Sequence, residues 1–332
     1  MKKYLHIILF VLVIGKEADS QVDPHFSQFY ANPLWLNPGM AGVIDGGMRI
    51  SAIYRNQWNQ VMVPFTTRGF SMDFQTNENL NIGASILNQQ AGNAGYNYNT
   101  GGITIAYSGM RFGTEKEQQV VIGIQAGFIS RHFDPAKFQF GDQWNPVTGF
   151  DPATPSADQL SKTRASSLDL GAGLSYMDGS KNKTVRLFGG FSAFHLTKPE
   201  DPFISAGTKT YLPVRFSVHG GARISLTDNF SLIPNLLWMK QGSAQEKMAG
   251  VYGDYTVNEQ TGVMFGLNYR FQDAISPFAG LAFGPIVLGV SYDINNSSLG
   301  KAVPGTNSLE VSLSWISRKS GKPLRYLSCP RF

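Results

Sequence analysis

Between residues 211 and 227 apolar and polar residues alternate without a break. Leu212, Val214, Phe216, Val218, Gly220, Ala222, Ile224 and Leu226 fall on one parity; Pro213, Arg215, Ser217, His219, Gly221, Arg223, Ser225 and Thr227 fall on the other. Side chains of a strand point alternately to opposite faces, so the segment predicts a strand with one apolar face and one bearing arginines, histidine and hydroxyls. It is long for a soluble strand of ~5–6 residues, and ample for a tilted membrane-crossing strand of ~9–11. The same period recurs along the chain. Ile50/Ala52/Tyr54 oppose Arg49/Ser51, Phe70/Met72/Phe74 oppose Ser71/Asp73/Gln75, and Val120/Ile122/Ile124/Ala126/Phe128 form a further apolar row. Val263/Phe265/Leu267/Tyr269 oppose Asn268/Arg270, Ile286/Leu288/Val290/Tyr292 oppose Ser291/Asp293, and Leu309/Val311/Leu313/Trp315 oppose Glu310/Ser312/Ser314. Helical spacing at i, i+3, i+4 and i+7 is not sustained.

With weaker strands near 184–195, 230–240, 248–256 and 274–283, the count reaches about fourteen. Short connections at 76–79, 113–118, 178–183, 227–229 and 258–259 alternate with longer ones at 56–64, 89–97, 132–164, 197–210 and 295–307. Only the connection at 272–273 is shorter than this scheme expects. Short periplasmic turns and long external loops are the asymmetry of outer-membrane barrels. A soluble β-sandwich would also alternate, but would not join strand length, loop phase and an export leader. The expected fold is therefore all-β: a transmembrane antiparallel β-barrel over residues 48–318, preceded by an irregular segment, with both termini periplasmic. On this reading a carboxylate at Phe216 hinders assembly, whereas one at Ser217 is tolerated.

Composition agrees. Charged residues are 15% of the chain, below the ~25% of a soluble domain, and 36 glycines accompany 23 Phe and 13 Tyr. A net charge of +5 without a dense basic run gives no support for nucleic-acid binding. Residues 1–20 read as a secretory signal peptide: Lys2 and Lys3, an apolar core, then Ala18-Asp19-Ser20 before a cut at Gln21. The single Cys329 sits in a short tail, 319–332, and forms no internal disulfide.

Residues 21–47 are rich in aromatics, Asn and Pro, and Pro forbids a regular helix or central strand there. Asp23, His25, Phe26, Phe29, Tyr30 and Trp35 are candidates for a plug of the periplasmic mouth or for partner docking. Arg215, His219, Arg223, Arg270 and Asp293 are candidate lumen-facing residues, serving either ion selection or cross-lumen pairing. The histidines lack metal-ligand spacing, and no Gly-x-Ser-x-Gly elbow or phosphate-binding loop occurs, so neither a cofactor nor an enzyme is expected.

Asp23-Pro24-His25-Phe26-Ser27-Gln28-Phe29-Tyr30, with Asn32-Pro33 and Asn37-Pro38-Gly39-Met40-Ala41-Gly42, resembles the start of the PorP/SprF family. Tyr54-Arg55-Asn56-Gln57-Trp58, Phe194-His195-Leu196-Thr197-Lys198-Pro199, Lys240-Gln241-Gly242, Gly266-Leu267-Asn268-Tyr269-Arg270 and Ser291-Tyr292-Asp293-Ile294-Asn295 continue the likeness in order. The stretch 142–162 departs from it as an enlarged Pro/Asp-rich loop. The resemblance implies a non-enzymatic outer-membrane component of the type IX secretion system of Bacteroidota. Implied partners are periplasmic ring or peptidoglycan-binding components, a secreted surface protein with a C-terminal sorting domain, such as an adhesin in gliding species, and outer-membrane lipid. A diffusion channel for small solutes is the alternative function.

Overall fold

The computed structural model describes residues 23–317 except 59–62, 77–78, 93–94, 157–161, 181–182, 202, 204–209, 299, 301–302 and 304. The expected signal peptide and the tail with Cys329 lie outside the described residues. The strands are β1 (Met48–Gln57), β2 (Phe65–Gln75), β3 (Leu80–Ala91), β4 (Tyr96–Phe112) and β5 (Gln118–His132). A small hairpin of β6 (Trp144–Asn145) and β7 (Gly149–Phe150) lies in the loop before β8 (Arg164–Asp178). Then come β9 (Val185–Phe194), β10 (Arg215–Ser225), β11 (Phe230–Gln241) and β12 (Ala244–Thr256). β13 (Thr261–Arg270), β14 (Ala274–Phe283), β15 (Ile286–Asn295) and β16 (Ser308–Ser317) complete the chain. All but the hairpin form one closed antiparallel barrel of fourteen strands, each paired with its neighbours in sequence. The ring closes through β1 and β16, in register from Met48↔Ser317 to Gln57↔Ser308.

The alternation read from the sequence is the alternation of exposure. On β15, Ile286, Leu288, Val290 and Tyr292 face outward, while Val287, Ser291 and Asp293 are buried inside. No apolar row such as Ile103/Ile105 or Val263/Phe265/Leu267 is covered by another layer; together they form the exposed belt that a bilayer covers. Short turns at 76–79, 113–117, 226–229 and 257–260 mark one end of the barrel. At the other end the rim is uneven. The connections 133–163 and 195–214 are long, and 242–243 and 271–273, on what is here the low side, are short.

The long strand expected over 211–227 is shorter. Tyr211 forms only an isolated bridge with Glu200, and Leu212 donates its N–H to the Pro199 carbonyl and buries its side chain. Pro213 has no N–H to give to a ladder, so regular pairing starts at Arg215. At the far end the N–H groups of Leu226 and Thr227 both turn back to the Phe230 carbonyl.

The interior is filled by chain. Residues 23–47 run through it in short turns: 3₁₀ turns at Phe29–Ala31 and Pro38–Met40, and one helical turn at Pro33–Leu36. The hydrophobic core is the contact between this segment and the wall: Phe26, Phe29, Tyr30, Leu34, Leu36 and Met40 against Ile53, Val121, Ile129, Phe188, Leu237 and Met264. The segment is not confined to the short-turn mouth but runs the length of the lumen. Asp23 lies beside His195 and Arg215 at the long-loop end, and only Gly42 to Gly47 reach the short-turn end, beside Gln75 and Ser317. A buried carboxylate needs a cation, and the cations that meet Asp23 stand at the loop ends of β9 and β10.

Candidate functional site

The wall is fitted to the plug by small residues. A Cβ on Gly123 would stand 2.3 Å from the Pro38 carbonyl oxygen, and one on Gly173 would stand 1.9 Å from Asn37 Oδ1. These inward positions carry glycine because main chain or a plug side chain occupies the space a side chain would need.

Three groups of polar contacts then hold the plug. At the long-loop end, Asp23 Oδ2 meets His195 Nε2 at 2.7 Å and Arg215 Nη1 at 3.1 Å, and His195 Nδ1 meets Asp169 Oδ2 at 3.0 Å. The Arg215 guanidinium lies 3.9 Å from the centre of the Trp35 ring and donates to the Trp35 carbonyl at 2.8 Å. Trp35 donates its indole N–H to the Pro24 carbonyl, so this corner is fixed from both sides. Burial by itself would raise the Asp23 carboxyl, but the charges of His195 and Arg215 hold it far below the usual carboxylate range. Burial would likewise lower His195, yet Asp23 and Asp169 outweigh it and push the imidazolium up to about 9. His195 takes a left-handed backbone conformation, φ 60°, to make this pair of contacts.

The second group straddles the closure of the barrel. Arg55 on β1 and Glu310 on β16 are register partners, joined at 2.8 Å. Arg55 also reaches Asp293 at 3.0 Å, and Arg270 reaches Asp293 at 2.8 Å. The plug completes this network. The N–H groups of Ser27 and Gln28 donate to the two Glu310 oxygens at 2.7 and 2.9 Å, and Ser27 Oγ bridges Asp293 and Arg270. Charge-assisted bonds of this kind are roughly twice as strong as neutral ones, and none of the four ionised side chains is left without an opposite charge.

The third group lies toward the short-turn end. Arg49 pairs with Asp73 at 3.0 Å and donates to the Met40 carbonyl, while Asp73 accepts the Gly42 N–H at 2.7 Å. Between these groups, Asn37 donates to the Leu174 carbonyl and to His219 Nε2, whose ring meets Tyr30 edge-on at 5.6 Å.

All five residues expected to face the lumen are inward and buried. Arg270 and Asp293 come together, Arg215 joins Asp23, His219 joins Asn37, and Arg223 pairs separately with Asp254. Of the N-terminal candidates, Asp23 and Trp35 form one corner, Phe26, Phe29 and Tyr30 enter the core, and His25 lies near Glu246. Arg55, Glu310, His195 and Glu246 were absent from the candidates. Their signal was available: each is an ionisable residue on the inward parity or just past a strand end.

These features define a class: a fourteen-stranded membrane barrel whose lumen is filled by its own N-terminal segment. The chain matches the family described as type IX secretion system membrane protein PorP/SprF over residues 18–315, and it belongs to that family. It is thus an outer-membrane component of type IX secretion. Compared with curated proteins it has no match. Among solved structures it is similar to the Ralstonia pickettii toluene transporter TbuX, with 11% identity, TM-score 0.51 and coverage of 90% of this chain and 95% of that one. It is also similar to the Pseudomonas putida toluene transporter TodX, with 9% identity, TM-score 0.51 and coverage of 88% and 94%. At such identity the likeness concerns the barrel fold.

Proposed function

We propose that this protein is a non-enzymatic anchor that holds or assists a secreted surface protein at the outer membrane and links it to the periplasmic secretion machinery. The supporting observation is the plug: the lumen is occupied from Asp23 to Gly47 by chain bound to the wall at both ends. A barrel built so offers surfaces rather than a pathway. Its outer face is the uneven rim of 133–163 and 195–214, where the exposed Trp144 and Val147 project on the β6–β7 hairpin. Aromatic and aliphatic groups presented on a firm turn suit protein contact. Its inner face is the row of short turns with the plug's exit at Gly42–Gly47.

The test is purification of the tagged protein from outer membranes, with mass spectrometry of what accompanies it and bilayer recordings of the purified barrel. The anchor reading expects a large secreted protein or periplasmic type IX components in near-equal amounts and no steady conductance. A barrel recovered alone, with salt-dependent single-channel currents, would replace it with the diffusion-channel reading. Deleting 21–47 is expected to leave a heat-modifiable barrel that no longer retains its partner.

A further inference from the structure

On the low side of the rim, between the connections 242–243 and 271–273, a cavity of about 300 Å³ opens above the plug. Asp23, His25, Arg215, Glu246, Arg270 and Asp273 line it. Most of these charges are already matched: Asp23 by His195 and Arg215, and Arg270 by Asp293 and Asp273. Two groups are not. Glu246 Oε1 and His25 Nε2 are shielded from solvent and have no hydrogen-bond partner, and His25 as a whole is 94% buried. Their one mutual contact is His25 Nδ1 facing Glu246 Oε2 at 3.5 Å. Burial, with the charges of Arg55 and Arg270, holds His25 well below its ordinary range, so this contact is not an ion pair. A neutral imidazole with its hydrogen on Nδ1, toward the carboxylate, presents only a lone pair at Nε2. The cavity therefore has two acceptor atoms side by side, both withdrawn from water and without a donor.

We propose that this cavity is a binding site for one organic cation, an ammonium or guanidinium group, received by Glu246 and His25. Such groups bring several N–H donors to both acceptors at once. Among the described residues no group of three or more His, Cys, Asp or Glu is arranged to hold a metal ion, so the acceptor pair suits a hydrogen-bonding cation. A lysine or arginine of a partner reaching over the low rim supplies that chemistry.

The experiment uses the full-length protein purified from membranes in detergent. It is titrated calorimetrically with Ac-Gly-Arg-Gly-NH2 and Ac-Gly-Lys-Gly-NH2, with Ac-Gly-Gln-Gly-NH2 as the uncharged control. Saturable binding of a basic peptide, weakened ~10-fold or more by Glu246→Gln and unchanged by Lys247→Gln, establishes the site. His25→Ala, which leaves the strands untouched, gives the same readouts if the Glu246 variant loses its heat-modifiable barrel. Binding that is equal for the Gln peptide or survives both substitutions, or no binding of either basic peptide, overturns the proposal.

Discussion

Glu310→Gln tests whether the plug is a bound ligand of the wall or merely fills space. In the native protein the Glu310 oxygens accept from Arg55 Nη1 at 2.8 Å and from the Ser27 and Gln28 N–H groups at 2.7 and 2.9 Å. An amide is nearly isosteric but keeps one acceptor oxygen, turns its NH2 toward a donor, and leaves Arg55 with Asp293 as its one carboxylate partner beside the His25 carbonyl. Breaking a buried pair by removing one partner costs ~3–5 kcal/mol. The ladder between β1 and β16 keeps its main-chain bonds, so the loss falls first on the plug, whose Ser27 and Gln28 N–H groups bind that carboxylate. The assay is hydrogen exchange by mass spectrometry on detergent-solubilised protein, comparing peptides that contain Ser27 and Gln28 with peptides from β4 and β5. At ~1.4 kcal/mol per decade, exchange in the plug peptide accelerates by about two to three and a half orders of magnitude, with the strand peptides unchanged. An acceleration below tenfold, or an equal one in the strands, would refute the reasoning.

Further outcomes follow from the same packing. Phe216→Asp is expected to slow membrane assembly modestly, by at most ~2 kcal/mol, because Phe216 lies near a strand end and a carboxylate costs less than a cation. Ser217→Asp is expected to be worse, against the sequence-based expectation, because Ser217 is wholly buried beneath the plug; heat-modifiability and exchange of the plug peptide read both. Gly123→Val would drive a side chain into the Pro38 carbonyl, and should expose the plug to proteolysis while leaving barrel migration on gels intact. The Asp23–His195 latch carries a pH signature. With His195 raised to about 9 from 6.5, its contribution is full below pH ~6.5 and is lost as pH rises through about 9. Asp23 is shifted down, so its share is present above its ordinary 3.8 and fades only in stronger acid. Plug protection should therefore fall between pH 6.5 and 9, and His195→Asn should abolish that slope; a slope that persists in the variant would assign it elsewhere.

The barrel was legible because period-two alternation and loop phase are local signals. The strand over 274–283 and the outward rows on β1 and β15 coincide with what the sequence predicts. The interior was not legible, because a polar inward face suits both water and a polypeptide with main-chain groups to satisfy. The difference lies in the apolar residues of the inward parity, such as Ile53, Val121, Ile129 and Met264. Those are out of place in a wet lumen and fit a protein-filled one. The direction of the plug was hidden for another reason: Asp23 and His195 are 172 residues apart, and only the folded wall brings them together.

Arg55 and Glu310 could have been found. In a closed barrel of nearest-neighbour strands the first and last must pair, so an inward arginine on one and an inward glutamate on the other become candidates for contact. Their placement has a further consequence. Closing the ring brings together residues 255 positions apart, and that seam is the longest-range strand pairing of the barrel, with a correspondingly high loop-closure cost. The Ser27 and Gln28 N–H groups bind Glu310, and Ser27 Oγ binds Asp293, so the plug bridges β16 and β15 at the place where β1 must arrive with Arg55. A seated plug therefore presents two fixed carboxylates to the incoming arginine, and a closed seam in turn neutralises the carboxylates that hold the plug. Seating and closure stabilise each other. Double-mutant combination of Arg55→Gln with Ser27→Ala should then show coupling of ~0.5–3 kcal/mol in plug protection. Simple additivity would mean that the barrel closes first and the plug only fills what is left.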